Sequence, residues 1–430
     1  MHTMIDFIYK RFCEHPHITT DTRNCPEGSI FVALKGDRFN GNEFAMQALE
    51  AGSAYAIIDE KKYDTGDDRL ILVEDCLKTL QCLARHHRRI LNIPVIAITG
   101  TNGKTTTKEL ASAVLSKKYN VLYTKGNLNN HIGVPLTLLQ MTTAHDIAVI
   151  EMGANHPGEI KTLAEIAEPN FGIITNIGKA HLEGFGSFEG VIRTKGELYD
   201  YIRRTGGKIF LHNENFILKD LAHGIESIVY GEAERLYVSG RIIANDPFLS
   251  FLWKHVTYTG EVHSKLIGNY NLANALAAVA MGCFFNVDKR DISEALNEYE
   301  PQNNRSQLKN TASNHIIIDA YNANPTSMNA ALRNFHDMKV RNKTLILGDM
   351  FELGETTLKE HQQILDLISQ LHFDKVILAG SIFSQLNSEF RTFENTGDLL
   401  AYLTDHPIRD SYILIKGSRG MTLEKCIDLL

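Results

Sequence analysis

Short runs of β-branched and aliphatic residues recur along the chain, each followed by a longer stretch whose apolar positions lie three and four apart. The short runs read as strands buried on both faces and the longer stretches as amphipathic helices, so their alternation predicts parallel sheets wound with helices. Val95-Ile96-Ala97-Ile98 is one run, followed by a glycine turn and a helical pattern from Lys104 onward. Ile147–Ile150, Gly172–Thr175 and Ile209–Leu211 continue the series. A second series holds Ile316-Ile317-Ile318, Thr344–Leu347, Val376–Leu378 and Tyr412–Ile415, with helical patterns at Ser327–Phe335 and Leu358–Leu371 between them. It predicts a separate, doubly wound, Rossmann-like α/β domain.

The stretch before the first series differs, with shorter strands at Ser29–Leu34, Ala54–Ile58 and Leu70–Val73 and a helix at Glu43–Ala51, which predicts a small α/β domain. Residues 228–266 are dense in β-formers (Ile228-Val229-Tyr230, Leu236-Tyr237-Val238, Phe248–Trp253) and predict antiparallel strands at the edge of a central sheet. The expected fold class is therefore α/β in three domains: 1–90 small and N-terminal, 91–305 central with a mostly parallel sheet, and 306–430 C-terminal and Rossmann-like.

Composition fits this picture and narrows the partners. Of 430 residues, 43% are hydrophobic and 22% charged, an ordinary globular balance that argues against a disordered chain. With 44 Lys+Arg against 51 Asp+Glu the formal charge is −7, which removes any global attraction to nucleic acid or anionic lipid. The longest uncharged apolar stretch, Ala275–Phe285, is too short for a membrane span, and the N-terminus does not read as a signal peptide. The six cysteines lack any Cys-x-x-Cys spacing, which predicts reduced thiols in a cytoplasmic protein and no zinc site. A phosphate-bearing ligand would have to be held by local features.

One such feature is Gly100-Thr101-Asn102-Gly103-Lys104-Thr105-Thr106, which follows a strand and opens a helix. Small residues there let backbone N–H groups converge on phosphate oxygens, and the helix N-terminus adds a favourable dipole. Lys104 is placed to reach the β/γ-phosphates of ATP and the Thr105 hydroxyl to ligate Mg²⁺. The spacing is shorter than G-x-x-x-x-G-K-[ST], because Ile98 stands where the first glycine would be. A tight glycine turn followed by an exposed lysine is the alternative.

Thr99–Thr107 resembles the ATP loop of the Mur ligase family, which also includes folylpolyglutamate synthetases. Further segments resemble the dipeptide-adding branch of that family: Gly126-Asn127-Leu128-Asn129-Asn130-His131-Ile132-Gly133-Val134-Pro135, Glu151-Met152-Gly153-Ala154, Asp319-Ala320-Tyr321-Asn322-Ala323-Asn324-Pro325, Leu347-Gly348-Asp349-Met350-Phe351-Glu352-Leu353-Gly354 and Lys416-Gly417-Ser418-Arg419-Gly420. They spread over all three expected domains. The resemblance implies an ATP-dependent ligase of peptidoglycan precursor synthesis that joins D-alanyl-D-alanine to UDP-N-acetylmuramoyl-tripeptide through an acyl phosphate, working as a cytoplasmic monomer. Other ligases of the family, including folylpolyglutamate synthetase, are alternatives. A nucleotide-gated regulatory protein is an alternative of another class.

The resemblance also implies roles. Thr105, Glu151 and His181 match Mg²⁺ ligands, and Lys195 matches a lysine that is carbamylated to hold a second Mg²⁺. Lys104, Lys195 and His181 form the expected catalytic set. Asn271 and Asn274 match adenine-contacting asparagines, Arg305 (in Asn303-Asn304-Arg305-Ser306) an arginine at the hinge to the third domain, and Asp319 a ribose contact. Thr22, Arg23 and Lys35 match UDP-sugar-binding segments. Asn130, Tyr321, Asn322, Asn324 and Arg419 are expected to hold substrate, including the incoming dipeptide. Several have a plain structural alternative: a helix cap for Glu151, Asp319 or one of the two asparagines, a loop hydrogen-bonder for His181, a solvated lysine at a helix start for Lys195, a surface salt bridge for Arg305, and an ordinary turn for residues 21–23.

Overall fold

The computed structural model describes residues 2–302 and 305–430; Met1 and the Asn303-Asn304 half of the expected hinge motif lie outside the described residues. The N-terminal part holds α1 (His2–Glu14), β1 (Ile18–Thr19), β2 (Ile30–Val32), a small hairpin of β3 (Lys35–Gly36) and β4 (Phe39–Asn40), α2 (Ala45–Glu50), β5 (Tyr55–Ile58), β6 (Leu70–Leu72) and α3 (Cys76–Leu91). Its sheet runs β1-β2-β5-β6, all parallel. The helix expected at 43–51 begins as a 3₁₀ turn, Gly41–Phe44, before α2 takes over. Asp75 caps α3 by accepting from Lys78 N at 2.8 Å, and Asn92 ends it in the left-handed conformation.

The central part holds β7 (Val95–Thr99), α4 (Lys104–Ser116), β8 (Val121–Tyr123), α5 (Gly133–Leu138), β9 (Ile147–Glu151), α6 (Glu159–Ala167), β10 (Phe171–Ile174), α7 (Leu182–Phe185), α8 (Phe188–Thr205), β11 (Lys208–His212), α9 (Phe216–Leu221), β12 (Glu226–Gly231), β13 (Val238–Asn245), β14 (Phe248–His255), β15 (Tyr258–Ile267), α10 (Asn271–Phe284) and α11 (Lys289–Glu298). Nine strands form one sheet in the order β15-β14-β13-β12-β11-β10-β7-β9-β8. Every residue of β7 and β9 is buried, which is why both read as unbroken apolar runs.

The expectation for residues 228–266 needs correction. Ile228–Tyr230 lies in β12, which pairs parallel with β11 because α9 carries the chain back across the sheet before it begins. Leu236 and Tyr237 precede β13, and only β13, β14 and β15 are mutually antiparallel, with β15 at the edge.

The C-terminal part holds β16 (Gln307–Asn310), β17 (Asn314–Asp319), α12 (Pro325–Asp337), β18 (Lys343–Gly348), α13 (Thr357–Leu371), β19 (Lys375–Ala379), β20 (Arg391–Phe393), α14 (Thr396–Asp405) and β21 (Ser411–Lys416). Its sheet runs β16-β17-β21-β18-β19-β20, parallel except for the β16–β17 pair. Asn324 caps α12 in a capping box with Ser327, ahead of Pro325.

The parts are packed on one another. One apolar cluster runs from Ile8 and Phe12 through α3 to Val95 and Ala97 of β7, so the N-terminal layer and one face of the central sheet share a core. Arg88 of α3, 4% exposed, secures that junction: Nε donates to Ala167 O at 3.1 Å, and one terminal nitrogen donates to Glu168 O at 3.1 Å and Asn170 Oδ1 at 3.0 Å. Arg88→Met would leave the carbonyls at the end of α6 without these donors. It is expected to cost about 3 kcal/mol, read as a lower denaturant midpoint.

Candidate active site

The P-loop grows directly out of β7. Gly100 takes φ +141°, and a Cβ there would stand 2.0 Å from Thr175 Oγ1; Gly103 takes φ +77°, with Asn274 Oδ1 2.6 Å from its Cβ position. Neither position accepts a side chain, which lets the loop close over the strand ends. Around it Asn102 N donates to Asn176 Oδ1 at 3.0 Å, and Thr175 Oγ1 donates to Asn102 O at 2.6 Å. Gly100→Ala is expected to cost about 3 kcal/mol of stability and to lower ATP affinity about tenfold, checked by thermal unfolding and titration calorimetry.

Lys104 folds back on this loop, Nζ donating to Gly100 O at 2.8 Å and Thr101 O at 3.2 Å. Burial holds its pKa below the usual lysine value, nearby Arg305 pushes the same way, and Glu151 opposes them. The exposed-lysine alternative is therefore set aside. Thr105 Oγ1 donates to Glu151 Oε2 at 3.0 Å, and Asn129 Nδ2 donates to Oε1 at 2.8 Å. Glu151 is the last residue of β9 and only 1% exposed, so it is not a helix cap.

Lys195 sits in the middle of α8, not at its start, and is 2% exposed. Its Nζ donates to Ala154 O at 3.3 Å and lies 5.3 Å from the Phe185 ring centre. Burial, reinforced by the charge of Lys104, lowers its pKa to about 7. This corrects the solvated-lysine alternative. Among the described residues Lys195 does not line the cavity; Ala154 does.

His181 stands just ahead of α7 with φ +51°, and its Nδ1 hydrogen-bonds the Glu352 carboxylate from the β18–α13 loop. Burial lowers its pKa, while Glu352 opposes the shift.

Neither Asn271 nor Asn274 caps α10; Tyr270 holds the cap position without a side-chain bond. Asn271 Nδ2 donates to Ile267 O at 2.8 Å, Asn274 Nδ2 donates to Asn271 Oδ1 at 2.9 Å, and Thr107 Oγ1 donates to Asn274 Oδ1 at 3.1 Å. The pair thus braces the P-loop helix against α10. The C-terminal part supplies the opposite wall. Arg305 makes no ion pair among the described residues; its guanidinium lies 3.7 Å from the Tyr321 ring centre and its buried Nε has no partner. Arg419 lies 5.2 Å from the same ring and donates to Tyr321 Oη at 3.4 Å.

Asp319 ends β17, accepting from Lys416 Nζ at 2.5 Å and from Ser306 N at 3.4 Å, and so it is not a cap either. Asn324 bridges the parts, its Nδ2 donating to Asn102 Oδ1 of the P-loop at 2.7 Å. Asn322 Oδ1 accepts from Ala323 N at 2.9 Å, and Asn130 Oδ1 accepts from Gly133 N at 2.8 Å.

Of the expected site residues in the central and C-terminal parts, all but Gly100 and Lys195 line one cavity of about 1450 Å³, together with Asn127, Asn129, Phe351, Glu352 and Lys416. Thr22, Arg23 and Lys35 are not among its described lining residues. Residues 21–23 form a turn in which Arg23 pairs with Asp21 at 2.7 Å, and Lys35 pairs with Asp59 at 2.9 Å and Glu60 at 3.1 Å. Glu352 and Lys416 were absent from the expected set although both lie in the quoted motifs. Their partners are far away in the chain, which no local pattern reveals.

The cavity thus joins a phosphate loop, buried lysines, one buried carboxylate and two guanidinium groups, a set suited to phosphoryl transfer and charge neutralisation. Comparison with known proteins agrees. Residues 98–282 match the family model described as Mur ligase middle domain, and residues 304–419 match Mur ligase, glutamate ligase domain. A UDP-N-acetylmuramoyl-tripeptide–D-alanyl-D-alanine ligase of Bacillus subtilis (strain 168) is 35% identical, with 95% of this chain and 92% of that protein covered. A crystal structure of MurF from Acinetobacter baumannii superposes with a TM-score of 0.88 at 32% identity, covering 96% of this chain and 93% of the other. The MurF ligase of Thermotoga maritima in complex with ADP gives 0.85 at 25% identity, covering 96% of each chain. The chain belongs to the Mur ligase family.

Proposed function

We propose that this protein is an ATP-dependent ligase that adds D-alanyl-D-alanine to UDP-N-acetylmuramoyl-tripeptide, releasing ADP and phosphate, in peptidoglycan precursor synthesis. The observation that carries this reading is the cavity in which the P-loop of the central part faces Arg305, Tyr321 and Arg419. The names of the full-length relatives supply the substrates. The γ-phosphoryl group passes to an oxygen of the tripeptide's terminal carboxylate. The dipeptide amine then attacks the carbonyl carbon, and the tetrahedral intermediate expels phosphate with that oxygen. Such a path needs positioned cations and amide donors more than an acid/base dyad.

In this reading residues 1–90 capture the UDP moiety through Thr22, Arg23 and Lys35, residues 91–305 bind ATP, and residues 306–430 deliver the dipeptide. Gly100–Thr106 and Lys104 cradle the phosphates. Asn271, Asn274 and Asp319 set the nucleoside and Arg305 its phosphates, while Asn130, Tyr321, Asn322, Asn324 and Arg419 hold the other substrates. The ADP complex of the Thermotoga relative supports nucleotide binding in the same fold.

One buried carboxylate beside a threonine hydroxyl is a donor set suited to Mg²⁺, which keeps several waters and takes its remaining oxygens from substrate phosphates. Thr105, Glu151 and His181 would hold it, and it would neutralise phosphate charge. With a pKa of about 7, Lys195 has a substantial neutral fraction at physiological pH. That form adds CO₂, forming an N–C bond and losing a proton, to give a carbamate that would hold a second Mg²⁺. A reaction that consumes ATP and a UDP-linked precursor places the enzyme in the cytoplasm; no helix among the described residues is long and apolar enough to cross a membrane.

The test is phosphate release from ATP in the presence of UDP-N-acetylmuramoyl-tripeptide. Release is expected to require D-alanyl-D-alanine; equal release without the dipeptide would overturn the reading.

A further inference from the structure

The Asp349–Gly354 segment belongs to the C-terminal part, yet its tip reaches the central one. Glu352 takes φ +62° and its carboxylate bonds Nδ1 of His181, itself at φ +51°. Two non-glycine residues thus hold the left-handed conformation while facing each other across the interface of two sheets. Such strain persists only where the surroundings enforce it.

Here they do. Met350 N donates to His361 Nε2 at 2.9 Å, and Phe351 N donates to Ser418 Oγ at 2.9 Å. Ser418 N donates to Asp349 O at 3.0 Å, and the Asp349 carboxylate accepts from Ile382 N at 2.9 Å and Phe383 N at 3.0 Å. Three separate segments of the C-terminal part therefore fix the loop, and Glu183 N donates to Glu352 O at 3.3 Å from the central side. A loop whose only task was to connect β18 to α13 would not need this bracing.

We infer that Glu352 is a positioning residue of the ligase site, one that the C-terminal part carries to His181 when the two parts dock. The inference rests on the function proposed above. An ionised carboxylate can only accept, so the bond places the ring proton on Nδ1. Nε2 is left unprotonated, and no hydrogen bond to it is found among the described residues. His181 lines the cavity, so Glu352 holds the whole population in the form whose Nε2 lone pair is free there. Site assembly is thereby tied to docking. Docking itself has a separate fastener: Lys179 Nζ pairs with Glu360 at 2.6 Å, and Lys179 N donates to Thr326 Oγ1 at 3.2 Å. The two contacts can be broken independently.

The experiment uses full-length protein labelled with ¹⁵N-histidine, with His181 assigned by comparison with His181→Asn. Wild type is expected to show His181 as the pure Nδ1–H tautomer, and Glu352→Ala as a tautomer mixture. Glu352→Ala is expected to lower kcat about 30-fold with the KM for the UDP-substrate little changed. Glu352→Gln, whose amide oxygen can still accept, is expected to retain most of both signatures and serves if the alanine variant folds poorly. Lys179→Met loosens docking but keeps the Glu352 carboxylate: it is expected to raise the dipeptide KM and to shift the His181 tautomer less than Glu352→Ala does. An unaltered His181 spectrum in Glu352→Ala, or a Lys179→Met variant with the same kcat loss, would overturn the inference. Absence of dipeptide-dependent phosphate release in wild type would instead remove the ligase reading, while the spectrum still decides the Glu352–His181 pairing.

Discussion

Replacing Lys195 by methionine is expected to abolish ligation, lowering kcat about 10³-fold, and at the same time to make the protein more resistant to heat. Both effects come from one observation: a lysine 2% exposed whose only side-chain hydrogen bond among the described residues is to Ala154 O at 3.3 Å. Burying the ammonium costs free energy, and the pKa of about 7 records that cost. The sign follows from proton binding. Between about pH 7 and the ordinary lysine value the unfolded chain holds the proton and the folded chain does not, so the penalty shrinks as pH rises through that window and is complete below it. Methionine keeps the length and removes the charge. Its unfolding midpoint, measured in CO₂-stripped buffer, is expected to exceed wild type most below pH 7 and to converge with it toward pH 10. A stabilising change that destroys turnover marks a side chain kept for chemistry. Lys195→Ala should recover part of its activity with added short carboxylates. Full activity without rescue would refute the carbamate.

Lys104→Met is expected to lower kcat/KM for ATP about 10³-fold, without the gain in stability. Lys104 Nζ is bonded to Gly100 O and Thr101 O, so its loss leaves two loop carbonyls without a donor and offsets any relief from removing a buried charge. Burial disfavours the ammonium when the loop is empty, and a phosphate beside it reverses that balance. ATP binding to wild type is therefore expected to take up protons at alkaline pH. Titration calorimetry in buffers of different ionisation enthalpy measures this, and Lys104→Met should abolish the uptake. Lys104→Arg is not expected to restore rate, because a planar guanidinium cannot occupy the ammonium's place between those carbonyls.

The fold was largely legible in the sequence because its strands are buried on both faces. Val95–Ile98, Ile147–Ile150 and Ile316–Ile318 carry no polar residue, and each lies within a parallel strand. The reading failed at Ile228–Tyr230, where the short α9 reverses the chain without a long helical pattern to announce it. At the site the P-loop was visible as a local spacing. The burial of Lys195 was not, since a lysine within an amphipathic pattern reads as solvent-facing until the packing of α8 on α6 and β10 is known. Glu352 meets His181, 171 positions away, only where the C-terminal part docks on the central one, and Lys416 meets Asp319, 97 positions away, only because β21 pairs with β17. The turn at residues 21–23, by contrast, is explained by its own Asp21–Arg23 pair, so nothing local distinguishes it from any surface turn.

In the proposed reaction the carboxylate is phosphorylated before the amine attacks it. Labelling both oxygens of the tripeptide's terminal carboxylate with ¹⁸O and recording the mass of the released phosphate tests this directly. One ¹⁸O is expected in each phosphate released, because the oxygen that attacks the γ-phosphorus leaves with it; phosphate free of label, formed alongside ligated product, would contradict an acyl phosphate.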